Sequence, residues 1–111
     1  MLGHYILWKR GIQHGDISVS NLMHRNGTGA LNDFDLARLA TPHNPYHRGC
    51  YRTGTTPFLA LDLLAPERQG SKVERRYRHD LESFFWVLAW ITACYDDGVE
   101  LKLIPANYRL W

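Results

Sequence analysis

Between Phe84 and Ile91 the chain reads Phe-Phe-Trp-Val-Leu-Ala-Trp-Ile, and this run constrains the fold more than any other feature. Apolar residues at every position leave no polar face, so a helix built on them has to be enclosed by other protein. The run predicts a helix starting at Arg78 or His79 and ending near Tyr95. Asp80 and Glu82 fall in its first turn, where carboxylates suit the positive end of the helix dipole. The longest apolar stretch, Phe84 to Tyr95, is shorter than the ~20 residues that cross a bilayer, so it reads as a buried helix. A chain of 111 residues can hardly wrap such a helix by itself. The sequence therefore points to missing partner structure.

The rest of the chain suits one small domain. At 45% hydrophobic and 22% charged it has the means to bury a core. Its four Trp, six Tyr and four Phe suit a core or an interface. A formal charge of +2 is too small to argue for nucleic acid or an anionic membrane. The basic cluster Lys72, Arg75, Arg76 and Arg78 reads as a solvated helix entry. Cys50 and Cys94 lie far apart without CxxC spacing, which fits free thiols in a reducing compartment. Met1 to Arg10 is not a secretory signal, so an intracellular protein, cytoplasmic or nuclear, is expected.

Along the chain, His4 to Arg10 reads as the end of a helix, with Tyr5, Leu7 and Trp8 apolar and Gly11 as the stop. Asn21–His24 and Ala30–Phe34 read as two short strands. Asn26-Gly27-Thr28-Gly29 between them is turn chemistry, because Asn and Gly tolerate positive φ. Ala40 to Thr56 reads as a long irregular loop of the kind that usually carries function. The tail from Asp96 to Trp111 gives no interpretable pattern, although Pro105 would end any helix there.

The chemically suggestive residues are His14, Asp16, Asn21, Asp33 and Asp35. A tight hairpin sets the start of one strand beside the end of the other, so Asn21 and Asp33 are expected close together with Asp16 nearby. A carboxylate and an amide oxygen are hard ligands suited to Mg²⁺ that is held partly by water and phosphate. A further carboxylate could accept the proton of a hydroxyl nucleophile. Two other readings stand beside this one. The residues are turn and cap residues, as Asp and Asn often are, or His14, Asp16 and Asp33 form a hydrolase metal trio.

Four segments, in order, carry a resemblance. His14-Gly15-Asp16-Ile17-Ser18-Val19-Ser20-Asn21 is similar to the kinase catalytic loop H-R-D-L-x-x-x-N. Asp33-Phe34-Asp35-Leu36-Ala37 resembles the D-F-G segment. Gly54-Thr55-Thr56-Pro57-Phe58-Leu59-Ala60-Leu61-Asp62 resembles the end of an activation segment. Arg78-His79-Asp80-Leu81-Glu82-Ser83-Phe84 resembles the start of the central helix of a kinase C-terminal lobe. Together these segments resemble the fungal-type protein kinases over residues 4–95.

The resemblance implies an α+β fold. It would be a partial, protein-kinase-like C-terminal lobe, mostly helical, with a small β-hairpin carrying the catalytic loop. Residues 1–111 would form one partial domain with the N-terminal lobe absent. It implies ATP-dependent phosphoryl transfer to Ser or Thr of proteins. Asp16 would be the catalytic base and Thr55 its neighbour, while Asn21 and Asp33 hold Mg²⁺ against the ATP phosphates. Ser18 stands where many Ser/Thr kinases have a phosphate-contacting Lys. Phe34 and His14 would pack as spacers, and Asp80 would tie the central helix to the catalytic-loop backbone. Thr53, Thr55, Thr56, Tyr46 and Tyr51 fall in the activation segment as candidate phosphorylation sites.

Departures from the family pattern qualify these expectations. Gly15 replaces the usual Arg, so control through an Arg–phosphate pair is not expected. Asp35 replaces Gly, and Leu61-Asp62 replaces Pro-Glu, with no Arg identified to receive the shorter carboxylate. No Gly-rich loop, strand Lys or partner Glu occurs, and Gly27-Thr28-Gly29 reads as a hairpin turn. The isolated chain is therefore expected to be weakly folded and catalytically inert. Partners would be ATP and a protein substrate in an intact kinase, with no nucleic acid and no membrane. Exposed apolar surface favours self-association. Two alternatives remain. One is a small-molecule phosphotransferase of the aminoglycoside or choline kinase type, favoured by His14-Gly15-Asp16; the other is a non-catalytic pseudokinase or binding remnant.

Overall fold

Gly11 stops the first helix as its sequence predicts. With φ of +79° it leaves the helical path and donates to the Trp8 carbonyl at 2.9 Å. The computed structural model of the chain describes residues 2–39, 54–64, 73 and 75–102. Helix α1 spans Leu2–Lys9, and the chain passes directly into strand β1, Ile12–Gln13. The loop 14–18 and a 3₁₀ turn, Val19–Asn21, then lead into a hairpin of β2, Leu22–Arg25, and β3, Thr28–Leu31.

The turn of this hairpin is tighter than four residues. Asn26 and Gly27 alone make it, at φ of +49° and +75°, the two-residue geometry that follows the natural twist of paired strands. Thr28 and Gly29 therefore join the ladder, paired with Arg25 and His24. The strand limits move accordingly. Asn21 lies in the 3₁₀ turn, and Asp33 lies beyond the end of β3.

Strand β4, Arg38–Leu39, returns to pair antiparallel with β1, so the two ends of the segment 14–37 are stapled together. A 3₁₀ turn at Thr56–Phe58 and the short helix α2, Leu61–Leu64, precede α3, Tyr77–Cys94. The α3 entry has no Ser or Asp cap; instead His79 Nδ1 accepts the Arg76 amide at 3.1 Å. Beyond α3 a second tight hairpin, β5 Tyr95–Asp96 with β6 Val99–Glu100, turns at Asp97-Gly98. The fold is α+β, and it carries more strand than the one hairpin expected. Among the described residues three two-stranded antiparallel ladders accompany the helices. Ala40 to Thr53, Lys72 and the tail after Lys102 lie outside the described residues, and with them Cys50, Tyr46, Tyr51 and Thr53.

The core forms where the loop 14–18 meets α3. Ile17, Phe58 and Val87 are buried together, with Val19, Leu22, Leu31, Phe84, Trp86 and Trp90 packed around them. A second cluster, Leu59, Ala60 and Leu63, holds α2. Helix α3 buries one face, at Asp80, Ser83, Val87 and Cys94. Its other face is open, with Phe85 59%, Leu88 61% and Ile91 39% exposed. The enclosure expected for this helix is thus met on one side. Among the described residues no helix is long and apolar enough to cross a membrane. Asp62 also finds the partner that its sequence left unidentified, an ion pair with Arg78.

Candidate functional site

The loop 14–18 is held from behind before it presents anything forward. His14 is fully buried. Its Nε2–H donates to the Asn32 carbonyl at 2.9 Å, and its Nδ1 accepts the Asp16 amide at 3.3 Å. Those two bonds fix the tautomer and use both ring nitrogens. His14 therefore has no lone pair for a metal, and the hydrolase trio of His14, Asp16 and Asp33 is set aside. Phe34 packs on the imidazole with ring centroids 4.7 Å apart.

Asp16 stands at the centre of what remains. Its Oδ1 accepts two bonds from Thr55, the amide at 2.7 Å and the hydroxyl at 2.8 Å. Its Oδ2 accepts the Asn21 side-chain amide at 3.1 Å. The same Asn21 Nδ2 donates to the Asp16 carbonyl at 2.9 Å. The two hydrogens of the amide are thereby used on Asp16, and Asn21 Oδ1 becomes the face turned to other groups. Oδ2 keeps a lone pair for a hydroxyl.

Two glycines make this contact between distant segments possible. At Gly15, φ is +85° and a β-carbon would stand 3.0 Å from the Leu36 carbonyl oxygen. At Gly54, φ is +128° and a β-carbon would meet Leu59 Cδ2 at 2.8 Å and the Gly15 carbonyl oxygen at 3.1 Å. Both positions combine a backbone that side chains resist with space that a side chain would overfill. The residue at position 15 is thus explained by the loop's own path, whatever the substrate.

Ser18 is also fully buried. Its hydroxyl bonds to Ser20 Oγ at 2.9 Å, and Ser20 Oγ reaches Asn21 Oδ1 at 3.5 Å. Its hydroxyl thus supports the Asn21 amide, through Ser20, from inside the loop. Asp33 is exposed, at φ of +58°, and its Oδ1 accepts the Asp35 amide at 3.3 Å. The Asn32 amide donates to the Asn21 carbonyl at 2.9 Å, so the ladder register continues past β3 and sets Asp33 one residue beyond Asn21's partner. Asn21 and Asp16 are bonded directly, whereas Asp33 is the residue after Asn32, whose amide bonds the Asn21 carbonyl. Among the described residues no group of three His, Cys, Asp or Glu side chains is placed to hold a metal ion. An amide oxygen and a single carboxylate still form a hard donor set of the kind that suits Mg²⁺, which keeps waters and takes phosphate oxygens as its remaining ligands.

Beneath the loop lies a buried polar network that the sequence did not reveal. Asp80 is fully buried and accepts His4 Nε2 at 3.0 Å and Arg75 Nε at 3.2 Å. Its carboxyl lies below the ordinary carboxylate range: burial pushes upward, but the His4 hydrogen bond and the Arg75 charge outweigh it. Asp80 thus ties α3 to α1 and to Arg75, not to the loop backbone as expected. Gln13, also buried, donates to the Arg75 carbonyl at 3.4 Å. The basic cluster read as a solvated face is therefore divided. Arg75, with its side chain 8% exposed, belongs to the interior, whereas Arg78 reaches Asp62 at the surface. Their spacing held no signal for this, because His4 and Asp80 stand 76 residues apart.

Among known families, the one described as fungal protein kinase matches residues 1–92 of the chain. No curated protein and no solved structure matches it.

Proposed function

The chain belongs to the fungal protein kinase family, and from that premise we propose that it carries the acceptor-and-metal half of ATP-dependent phosphoryl transfer to Ser or Thr hydroxyls of proteins. The observation that supports this most directly is Asp16, aligned by Thr55 on one oxygen and by Asn21 on the other. A carboxylate fixed in this way orients an incoming hydroxyl and takes its proton as the hydroxyl oxygen attacks phosphorus. Asn21 Oδ1 and the Asp33 carboxylate would hold Mg²⁺, which when bound neutralises charge on the ATP phosphates. Thr55 keeps Asp16 from rotating away from the acceptor, and His14 fixes the backbone amide of Asp16.

The substrate class rests on the segment 54–62, which resembles the peptide-binding end of a protein kinase activation segment. The small-molecule alternative drew on Gly15, and the steric demand at position 15 accounts for that residue without reference to substrate. Residues that would grip the α- and β-phosphates are not found in the sequence, so the chain by itself is expected to bind nucleotide weakly and to turn none over.

The test is paramagnetic. Mn²⁺ with ADP, titrated into the isotopically labelled chain, should broaden the amide signals of Asn21 and Asp33 first, and Asn21→Leu should remove the effect. Broadening centred elsewhere, or none at millimolar nucleotide, would remove the metal half of the reading. Multiple turnover of Mg²⁺-ATP by the purified chain, abolished in Asp16→Ala, would overturn its assignment as inert.

A further inference from the structure

We propose that Arg75 is a positioning residue for Asp16: its guanidinium lies within van der Waals reach of position 15 and anchors the loop that carries the base to the buried Asp80. The inference rests on the phosphotransfer reading only in naming Asp16 as the base.

Three observations meet at this residue. Arg75 Nη1 lies 4.0 Å from the point where a β-carbon of residue 15 would stand. The guanidinium is fixed on its other side by Asp80, with Nε and Nη2 at 3.2 and 3.1 Å from Oδ1. The backbone of Arg75 is held as well, because its carbonyl accepts the Gln13 side chain one residue before His14. The loop 13–16 is therefore held at Gln13 by the main chain of Arg75 and approached at position 15 by its side chain.

The energetic reason is how little holds the loop there: among the described residues only the Leu36 carbonyl and the Arg75 guanidinium come within 4 Å of the point where residue 15 would carry a β-carbon. Gly15 has no side chain with which to fix itself, and its φ of +85° is a conformation that glycine abandons readily. A planar, charged group, held at the far end by a buried carboxylate, resists displacement better than a flexible ammonium. Arg75 and Asp80 are also bonded at short range, and Asp80 is anchored to His4. The loop is thus fixed, through one arginine, to both α1 and α3. The path runs from His4 through Asp80 and Arg75 to Gly15 and then to Asp16.

Amide hydrogen exchange of the full chain tests this without any need for activity. In Arg75→Met, which keeps the stem and loses the guanidinium, the Asp16 and Thr55 amides should exchange at least ~tenfold faster while the Val87 amide in α3 is unchanged. The Thr55 amide proton, bonded to Asp16 Oδ1, should shift upfield in the same variant, and Arg75→Lys should give an intermediate shift. Equal acceleration at all three amides would make Arg75 a general stabiliser and overturn the proposal, as would no change at any of them. Should Arg75→Met fail to fold, the wild-type chain decides. A nuclear Overhauser contact between the Arg75 guanidinium protons and the Gly15 α-protons is expected, and its absence would refute the placement. Failure of the Mn²⁺-nucleotide titration would remove the phosphotransfer reading while leaving the exchange result standing.

Discussion

The Asp16 carboxylate is held by three hydrogen bonds from two residues, and the distribution of those bonds decides what single substitutions do. Thr55→Val removes the hydroxyl bond to Oδ1 and leaves the amide bond, so a loss of about 1–2 kcal/mol is expected in urea unfolding. Gly54→Ala should cost more, because the new methyl group would press on Leu59 while its backbone stays at φ of +128°. It should also disturb Thr55 and lower any nucleotide-dependent signal at Asn21. The buried titratable groups set the pH response. Burial, then the neighbouring Arg78, lowers the pKa of His79 from 6.5, so the unfolded chain takes up protons before the folded one does. Its contribution to stability is complete above pH 6.5 and is lost as pH falls through the lower folded value. Asp80 acts the same way further down: its folded pKa lies below the ordinary 3.8, so its contribution is lost on acidification below that. Unfolding midpoints should therefore decline with acidification in two stages, and His79→Gln should flatten the first.

At the scale of elements, the turn residues carry the clearest local signals. Gly27→Ala should cost about 1 kcal/mol by denaturant titration, since nothing crowds position 27 and the penalty is that of φ at +75° alone. Because the hairpin leads away from Asp16, the Thr55–Asp16 contact should survive. The Asn-Gly pair announced this hairpin in the sequence. Asp97-Gly98 carries a weaker signal for β5 and β6, because only two strand residues flank it on each side. The β1–β4 ladder was not legible: two-residue strands have no periodicity, and their pairing depends on the path of the intervening 24 residues. Helix α3 was legible to within two residues at its start and one at its end because its apolar run is long. Which of its faces would be covered was not, since no polar residue marks the difference. The cluster around Asp16 was legible as spacing; the roles of Ser18 and Asp80 were not, because each depends on contacts that spacing does not encode.

At the scale of the molecule, the chain is a slab with extents of 49, 40 and 19 Å and a radius of gyration of 15.5 Å, against about 13 Å for a compact domain near this size. Its open α3 face should drive self-association: Leu88→Glu combined with Phe85→Lys should shift sedimentation toward monomer with little change in unfolding midpoint. An unchanged distribution would place the association elsewhere. The thinness has a calorimetric consequence. A 19 Å layer admits little dry interior, and the side chains it does bury include His4, Gln13, His14, Asp80 and other polar groups alongside Ile17 and Val87. Newly hydrated polar and apolar surfaces change heat capacity with opposite sign. Melting of this chain should therefore be broad and of low enthalpy, with a nearly flat stability curve, so that cooling it does little harm.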